Sequence, residues 1–488
     1  MAETPTEILV QSQNPHVILL PTPGLGHLIP LINHDFDFDA GEIKEAVLML
    51  HFDLKKQRNS ESIEGSSNQK RLPPSPRKLP IIGNLHQLGP HPYRTLHKLS
   101  EKHGPVVLLH FGSKPVLVAS SVDAARAIMK THDLVCSSRP KSSIVYRLFY
   151  GSKDIGFSPY GEYWRQIKSI VMLHLLSNKT FRDIREEETS NMIEKIKQEC
   201  DSSCAVVDLR DHFCSLAGDI VSRVALGRKY NKGESGMNAK LDTKVEKVAK
   251  DLDTFLESVI EEHIIRSEKG EYSTGEAKDF VNVLLDIQNG KETSFSLEMD
   301  SLKAVILDIF AAGIDTTHTT LEWIMTELLR HPKAMEMLQN EVRGLAQGKS
   351  KVTEDDLENM QFLKAVIKET LRLHPPVPLL IPRQSTEDIE LLGYLIPSKT
   401  QILINAWTIG RDPLSWENPE EYRPERRGCP GIAFAVVING LALARLVHEF
   451  NFALPEGLTT ENLEMTEGSG VTIRRKSPLL AVATPYML

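Results

Sequence analysis

Beyond residue 90 the chain is written mostly in helical periods. Apolar residues recur one helical turn apart over long stretches, and the alternation of half-buried strands is brief and local. An amphipathic helix is expected over about Tyr93 to His103. Gly104 to Phe111 and Pro115 to Ala119, rich in Val and Leu and turned at Gly112-Ser113, read as a hairpin. Asp300 to Arg330 is the longest helical run, about 45 Å at 1.5 Å per residue. Lys364 to His374 forms another helix, stopped by Pro375-Pro376. Val377 to Pro382 reads as an apolar, strand-like run ending at Arg383, and short β stretches are expected near Ile389–Leu391 and Gln401–Asn405. Ile432 to Phe450 is apolar throughout and predicts a buried helix. The pattern is that of a mainly α protein with a small β part and no internal repeat.

Ahead of this body, Leu72 to Asn84 is a rigid, proline-spaced lead-in. Residues 35–71 are polar and lack periodicity, so they read as a disordered linker. The apolar stretch Val17 to Ile32 is broken by Pro21, Pro23, Gly24, Gly26 and Pro30, short of the roughly 20 apolar residues a membrane span needs. Pro15 to Leu20 reads as a strand, followed by the turn Pro21 to His27. Residues 15–33 resemble the opening strand and loop of plant family-1 sugar-nucleotide glycosyltransferases, in which His27 would be the catalytic base. Gly24-Leu25-Gly26 does not complete a dinucleotide pattern, because Ile29 holds the third glycine position. The expected organisation is a leader over 1–34 that is not a domain, a linker over 35–71, and one folded body over 72–488.

Composition adds constraints. A formal charge of -8 without a basic block excludes a dedicated nucleic-acid binder. The five cysteines (Cys136, Cys200, Cys204, Cys214, Cys429) are odd in number, scattered and without a Cys-x-x-Cys pair. They indicate neither a zinc site nor a disulfide framework, and a reducing compartment is the simplest inference.

Four stretches carry candidate chemistry. Cys429 precedes the apolar helix, with Pro430 at its first position. Free amides and the helix dipole would favour a thiolate there, suited to a metal, although a structural cysteine ahead of a core helix also fits. Trp164 and Lys168 lie four apart on one helical face, where an indole N–H beside an ammonium makes an anion site or simply a surface cation near a half-buried ring. Ala311-Ala312-Gly313-Ile314-Asp315-Thr316-Thr317 weakens the middle of the longest helix. Threonine hydroxyls there can take the carbonyl one turn back, opening a groove for a water or small ligand, or producing only a packing bend. Gly313 would let a flat ligand approach, and Asp315 beside Thr316 is a candidate proton relay. Glu369 and Arg372, at i and i+3 in an apolar setting, predict a buried ion pair that needs further partners, with Arg426 available.

In this order, the proline lead-in, Trp164, Ala312 to Thr317, Glu369-x-x-Arg372, Pro424-Glu425-Arg426 and Cys429 resemble the cytochrome P450 superfamily, in particular the plant A-type haem-thiolate monooxygenases, over about residues 72 to 485. The resemblance implies one mainly α domain with a small β subdomain, lacking the segment that normally precedes the haem-ligand cysteine. It implies haem b (iron protoporphyrin IX) with Cys429 as its metal ligand, a thiolate that favours O–O cleavage. Thr316 would steady the dioxygen and Asp315 would help deliver protons. Glu369, Arg372 and Arg426 would form the ion network under the cysteine loop. Trp164, Lys168, Arg383 and Arg427 would meet the haem propionates, with Gly431, Ala312 and Gly313 close to the ring. Substrate would lie against Ala311, Ala312 and Val377 to Ile381, with Ser142–Gly156 and the loop near Gly470 closing the pocket.

The activity implied is insertion of one oxygen atom of O2 into a small hydrophobic plant metabolite. Electrons would come from NADPH-cytochrome P450 reductase at the cytosolic face of the endoplasmic reticulum. The chain departs from the family in two places. The glycosyltransferase-like leader stands where the family has an anchoring helix, which leaves membrane association open. Cys429 follows Arg426 by three positions, with Tyr422 where Phe belongs and Glu425 where a turn glycine belongs. Alternatives are a chimeric relic that holds haem poorly, and glycosyl transfer through His27.

Overall fold

The computed structural model describes residues 71–175, 181–202, 206–229, 245–269, 279–290, 297–424, 433–468, 470 and 472–486. The leader with His27, residues 35–70 of the linker, and Arg426, Arg427, Cys429 and Gly431 lie outside the described residues.

Helices of ten or more residues are numbered in chain order: α1 Pro92–His103, α2 Glu162–His174, α3 Arg182–Ser202, α4 Leu209–Leu226, α5 Val245–Glu268, α6 Phe280–Asn289, α7 Met299–Gly313, α8 Asp315–Arg330, α9 Pro332–Leu345, α10 Gln361–Leu373 and α11 Ala433–Glu449. Local chemistry sets their ends. Pro92 opens α1 where its missing N–H is harmless. The Asp208 carboxylate caps α4 by accepting from the amides of Arg210 and Asp211, and Gly227 closes it in the left-handed region. Pro375 follows the end of α10.

The expected hairpin is present. β1 (Val106–Phe111) pairs antiparallel with β2 (Lys114–Ala119), from Val106 opposite Ala119 to Phe111 opposite Lys114. Strand β3 is Val206–Asp208. The remaining strands are β4 (Arg383–Gln384), β5 (Ile389–Leu391), β6 (Tyr394–Ile396), β7 (Gln401–Ile404), β8 (Phe450–Ala453) and β9 (Leu480–Pro485). They form a sheet in the order β1-β2-β7-β4, a second in the order β3-β9-β8, and the lone hairpin β5–β6. The main core gathers the inner faces of α2 to α11 around Phe213, Phe280, Leu321, Leu446 and Phe450.

Two expectations are corrected. The long helix is two: α7 stops at Gly313 and α8 starts at Asp315, with Ile314 between them at φ −83 and ψ −65. The Thr316 hydroxyl donates to the Ala312 carbonyl at 2.5 Å, taking an acceptor of the helical ladder. Val377 to Pro382 is not strand-like. Pro378 and Pro382 have no N–H to give a sheet, Leu380 sits at φ 51, and pairing begins only at Arg383. No helix among the described residues is long and apolar enough to cross a membrane.

Candidate active site

Helix α7 and the start of α8 run through the middle of the core, and all but a few of their residues are buried. Beyond the first turn of α7, the accessible ones are Asp308, Ile309, Ala312, Gly313 and Thr316. They fall at i, i+1, i+4, i+5 and i+8, which is one face of a helix. The core leaves this face of α7 uncovered, and we refer to the space beside it as the cavity; Ala312 is its most open point. Ala311, expected beside it, is 4% exposed and belongs to the core. Gly313 is small for a different reason than a ligand's approach. A Cβ there would lie 2.8 Å from Cγ2 of Val221, so close packing of α4 on α7 requires the glycine.

Thr316 lies on the stripe, but Asp315 does not. Successive residues stand about 100° apart round a helix, and Asp315 is 3% exposed, with Oδ1 2.9 Å from Nε2 of His318. Burial works against the imidazolium of His318. The carboxylate of Asp315, with the nearby Cys214 thiol, outweighs burial and pushes the pKa up to about 10. The proposed relay acid is therefore one half of a buried ion pair.

A cationic corner faces the amino-terminal end of the stripe. Arg139 donates to the carbonyls of Ile381 and Pro382 at 3.4 and 3.1 Å, joining the turn before β4 to this end of the cavity. Burial, with the like charge of Arg383, pulls its pKa down to about 10 against the pull of Asp154 and Asp308. Arg383 itself donates to Asp133 at 3.0 Å. Trp164 does not offer its N–H to an anion here: the indole donates to the Ile155 carbonyl at 3.1 Å, and Lys168 lies over the ring at 4.7 Å. The structure thus brings Trp164 and Lys168 together as a cation on an aromatic face.

Glu369 and Arg372 form the buried pair that their apolar setting predicts. Nε and Nη2 of Arg372 donate to the two carboxylate oxygens at 2.8 and 2.7 Å. Its remaining donors reach the carbonyls of Gly410 and Pro419, both at 2.6 Å, and Glu421 at 2.9 Å. The amide of Arg423 gives Glu369 a third hydrogen bond at 2.9 Å, and Arg426 lies outside the described residues. This network fastens residues 410–423 to α10 just ahead of the segment that carries Cys429. Among the described residues no cluster of His, Cys, Asp and Glu could hold a metal, so Cys429 remains the one metal-ligand expectation and lies outside them.

The profile of the family "Cytochrome P450" matches residues 73–261 and 237–482. The chain belongs to the cytochrome P450 family. It is 62% identical over 472 residues to cytochrome P450 71A4 of Solanum melongena, covering 85% of this chain and 93% of that one. It is 48% identical over 472 residues to norfluorocurarine oxidase of Strychnos sp, covering 84% and 92%. A zebra fish cytochrome P450 solved with abiraterone shares the fold with a TM-score of 0.71 at 24% identity, over 81% of this chain and 99% of that one. This P450 is accordingly a monooxygenase, an oxidoreductase with haem as its cofactor, using O2, a small organic substrate and a redox partner. The likeness of residues 15–33 to glycosyltransferases is not borne out.

The residues present fit haem. Ala312 leaves an open apolar ledge, and Arg139 and Arg383 gather positive charge at the cavity's end, which suits a flat apolar ring with acidic substituents. Sequence reasoning missed Arg139, Asp308 and His318. The first sits in a Ser-Ser-Arg-Pro stretch without periodicity. The other two look like ordinary helix residues until the stripe separates lining from core.

Proposed function

We propose that this P450 inserts one oxygen atom of O2 into a small hydrophobic plant metabolite, using haem b and electrons from NADPH-cytochrome P450 reductase at the cytosolic face of the endoplasmic reticulum. The reading is carried by the accessible stripe Asp308, Ile309, Ala312, Gly313, Thr316 in the middle of a buried helix. Bound haem with a thiolate ligand supplies the activation and cleavage of O2. Cys429 is the residue to ligate it, flanked by Arg427 and Gly431, with Glu369, Arg372 and Arg426 bracing the segment before it. Lys168, seated over the Trp164 ring, and Arg383 are the residues to meet its acidic groups, and Arg139 joins them on the strength of its burial beside Arg383.

The substrate is held by apolar contacts with Ile309, Ala312 and the turn Val377 to Ile381, where Val377, Leu379 and Leu380 are half-buried and Ile381 is exposed. Thr316 keeps a hydroxyl at the cavity wall, and Asp315 stores negative charge one step behind it. The test is turnover with the plant reductase, NADPH and isotopically heavy O2 against a panel of small apolar metabolites. The expected product carries one heavy oxygen atom. A product labelled from water, or consumption of NADPH with no oxygenated product for any apolar substrate, contradicts the reading.

A further inference from the structure

Asp308 stands on the accessible stripe one turn ahead of Ala312, and nothing in the reaction above uses it. Its Oδ2 accepts from the amides of Ile155 and Gly156 at 2.6 and 3.0 Å. Asp154, fully buried on the same loop, turns Oδ2 to the amide of Phe157 at 2.8 Å and leaves Oδ1 without a partner. The two carboxyl groups meet across Gly156. A Cβ at that position would stand 3.2 Å from Oδ1 of Asp308 and 3.3 Å from Oδ2 of Asp154. The peptide gripped by Asp308 is tied at its other end too, because the carbonyl of Ile155 accepts the indole N–H of Trp164. One residue, Ile155, thus links an acid on the cavity wall to an aromatic ring at the cationic corner.

We propose that Asp308 is the positioning residue of this corner: it fixes loop 154–157 to α7 and sets the place of Trp164 through Ile155, with the carboxyl of Asp154 close by across Gly156. Two ionised carboxylates in so small a space would repel, and one proton between them removes the repulsion. Arg139 faces the pair, with Arg383 beyond it, and Tyr163 faces Asp154, with Lys153 and Glu298 beyond. Burial pushes the pKa of Asp308 up to about 6, and burial with the charge of Asp308 pushes Asp154 well above the usual carboxylate range. Both folded values are raised, so the pair's contribution is present at low pH and lost as pH rises through about 6 and beyond. The consequence for Lys168, seated over Trp164, as a cofactor contact rests on the reading under Proposed function, whereas the latch itself stands without it.

The test is hydrogen–deuterium exchange of the Ile155 and Gly156 amides in the full-length haem-loaded protein across a pH series, corrected for intrinsic exchange. Their protection should fall roughly tenfold as pH rises through and beyond about 6. Asp308→Asn keeps an acceptor and removes the charge, so protection should persist and become flat with pH. Asp154→Asn should flatten the profile in the same way, and Asp308→Ala should abolish protection at every pH. Unchanged exchange in Asp308→Ala overturns the proposal, as does a pH profile that survives in both Asn variants. If the Ala variant does not fold, the two Asn variants decide. The readout is peptide exchange, so it is independent of turnover, and failure of the family-level reading would show separately as absent haem absorption.

Discussion

All five donors of the Arg372 guanidinium have protein partners: two carboxylate oxygens of Glu369 and three backbone carbonyls. Replacing it with Ala leaves Glu369 charged, buried and held only by the Arg423 amide. Arg372→Ala should therefore destabilise the protein by about 3–5 kcal/mol in urea denaturation. Arg372→Lys should not rescue it, because an ammonium cannot reproduce the planar fork. At the cavity wall, Thr316→Ala should lower the share of consumed O2 that reaches product and raise peroxide release, while Thr316→Ser should stay near the parent. Equal coupling in both variants, measured as product against peroxide, would remove Thr316 from the reaction. Both residues were legible in the sequence, because Glu-x-x-Arg and paired threonines in a helix each break a local expectation. Arg139 was not legible, since its role depends on Ile381, Pro382 and Asp308 far along the chain.

At the scale of elements, the α7–α8 break shows how far pattern reasoning reaches. Gly313 and the threonines mark a weak point in the helix, and the structure interrupts the helix there. What the pattern could not show is which neighbour demands the glycine. Because Val221 of α4 stands where a Cβ would go, Gly313→Ala should cost about 1–3 kcal/mol by overpacking, and Val221→Ala in the same chain should recover most of it. A cycle with no coupling in urea denaturation would contradict this packing.

The Asp315–His318 pair on the next turn predicts a pH signature. The folded pKa of His318 is raised from 6.5 to about 10, so its stabilising contribution is complete below about 6.5 and lost as pH climbs through 10. Over that window the denaturation midpoint should fall with pH, and His318→Gln should flatten that part of the decline. The run Val377 to Pro382 failed as a strand because apolar content was read without its prolines.

For the whole molecule, helical periodicity identified the mainly α body, and the ordered motifs identified its family, because each motif answers a different demand of one site. Accessibility along α7 was invisible in sequence: Ala311 and Ala312 are the same residue type, and only packing separates a core alanine from a lining one. We propose that Cys429, three positions after Arg426, delivers a thiolate to haem iron in this chain. The most direct measurement is the absorption spectrum of the purified, reduced, CO-treated protein with haem supplied in excess. A thiolate-ligated Soret band that is lost in Cys429→Ala is the predicted result. Folded protein that shows no such band would contradict the account.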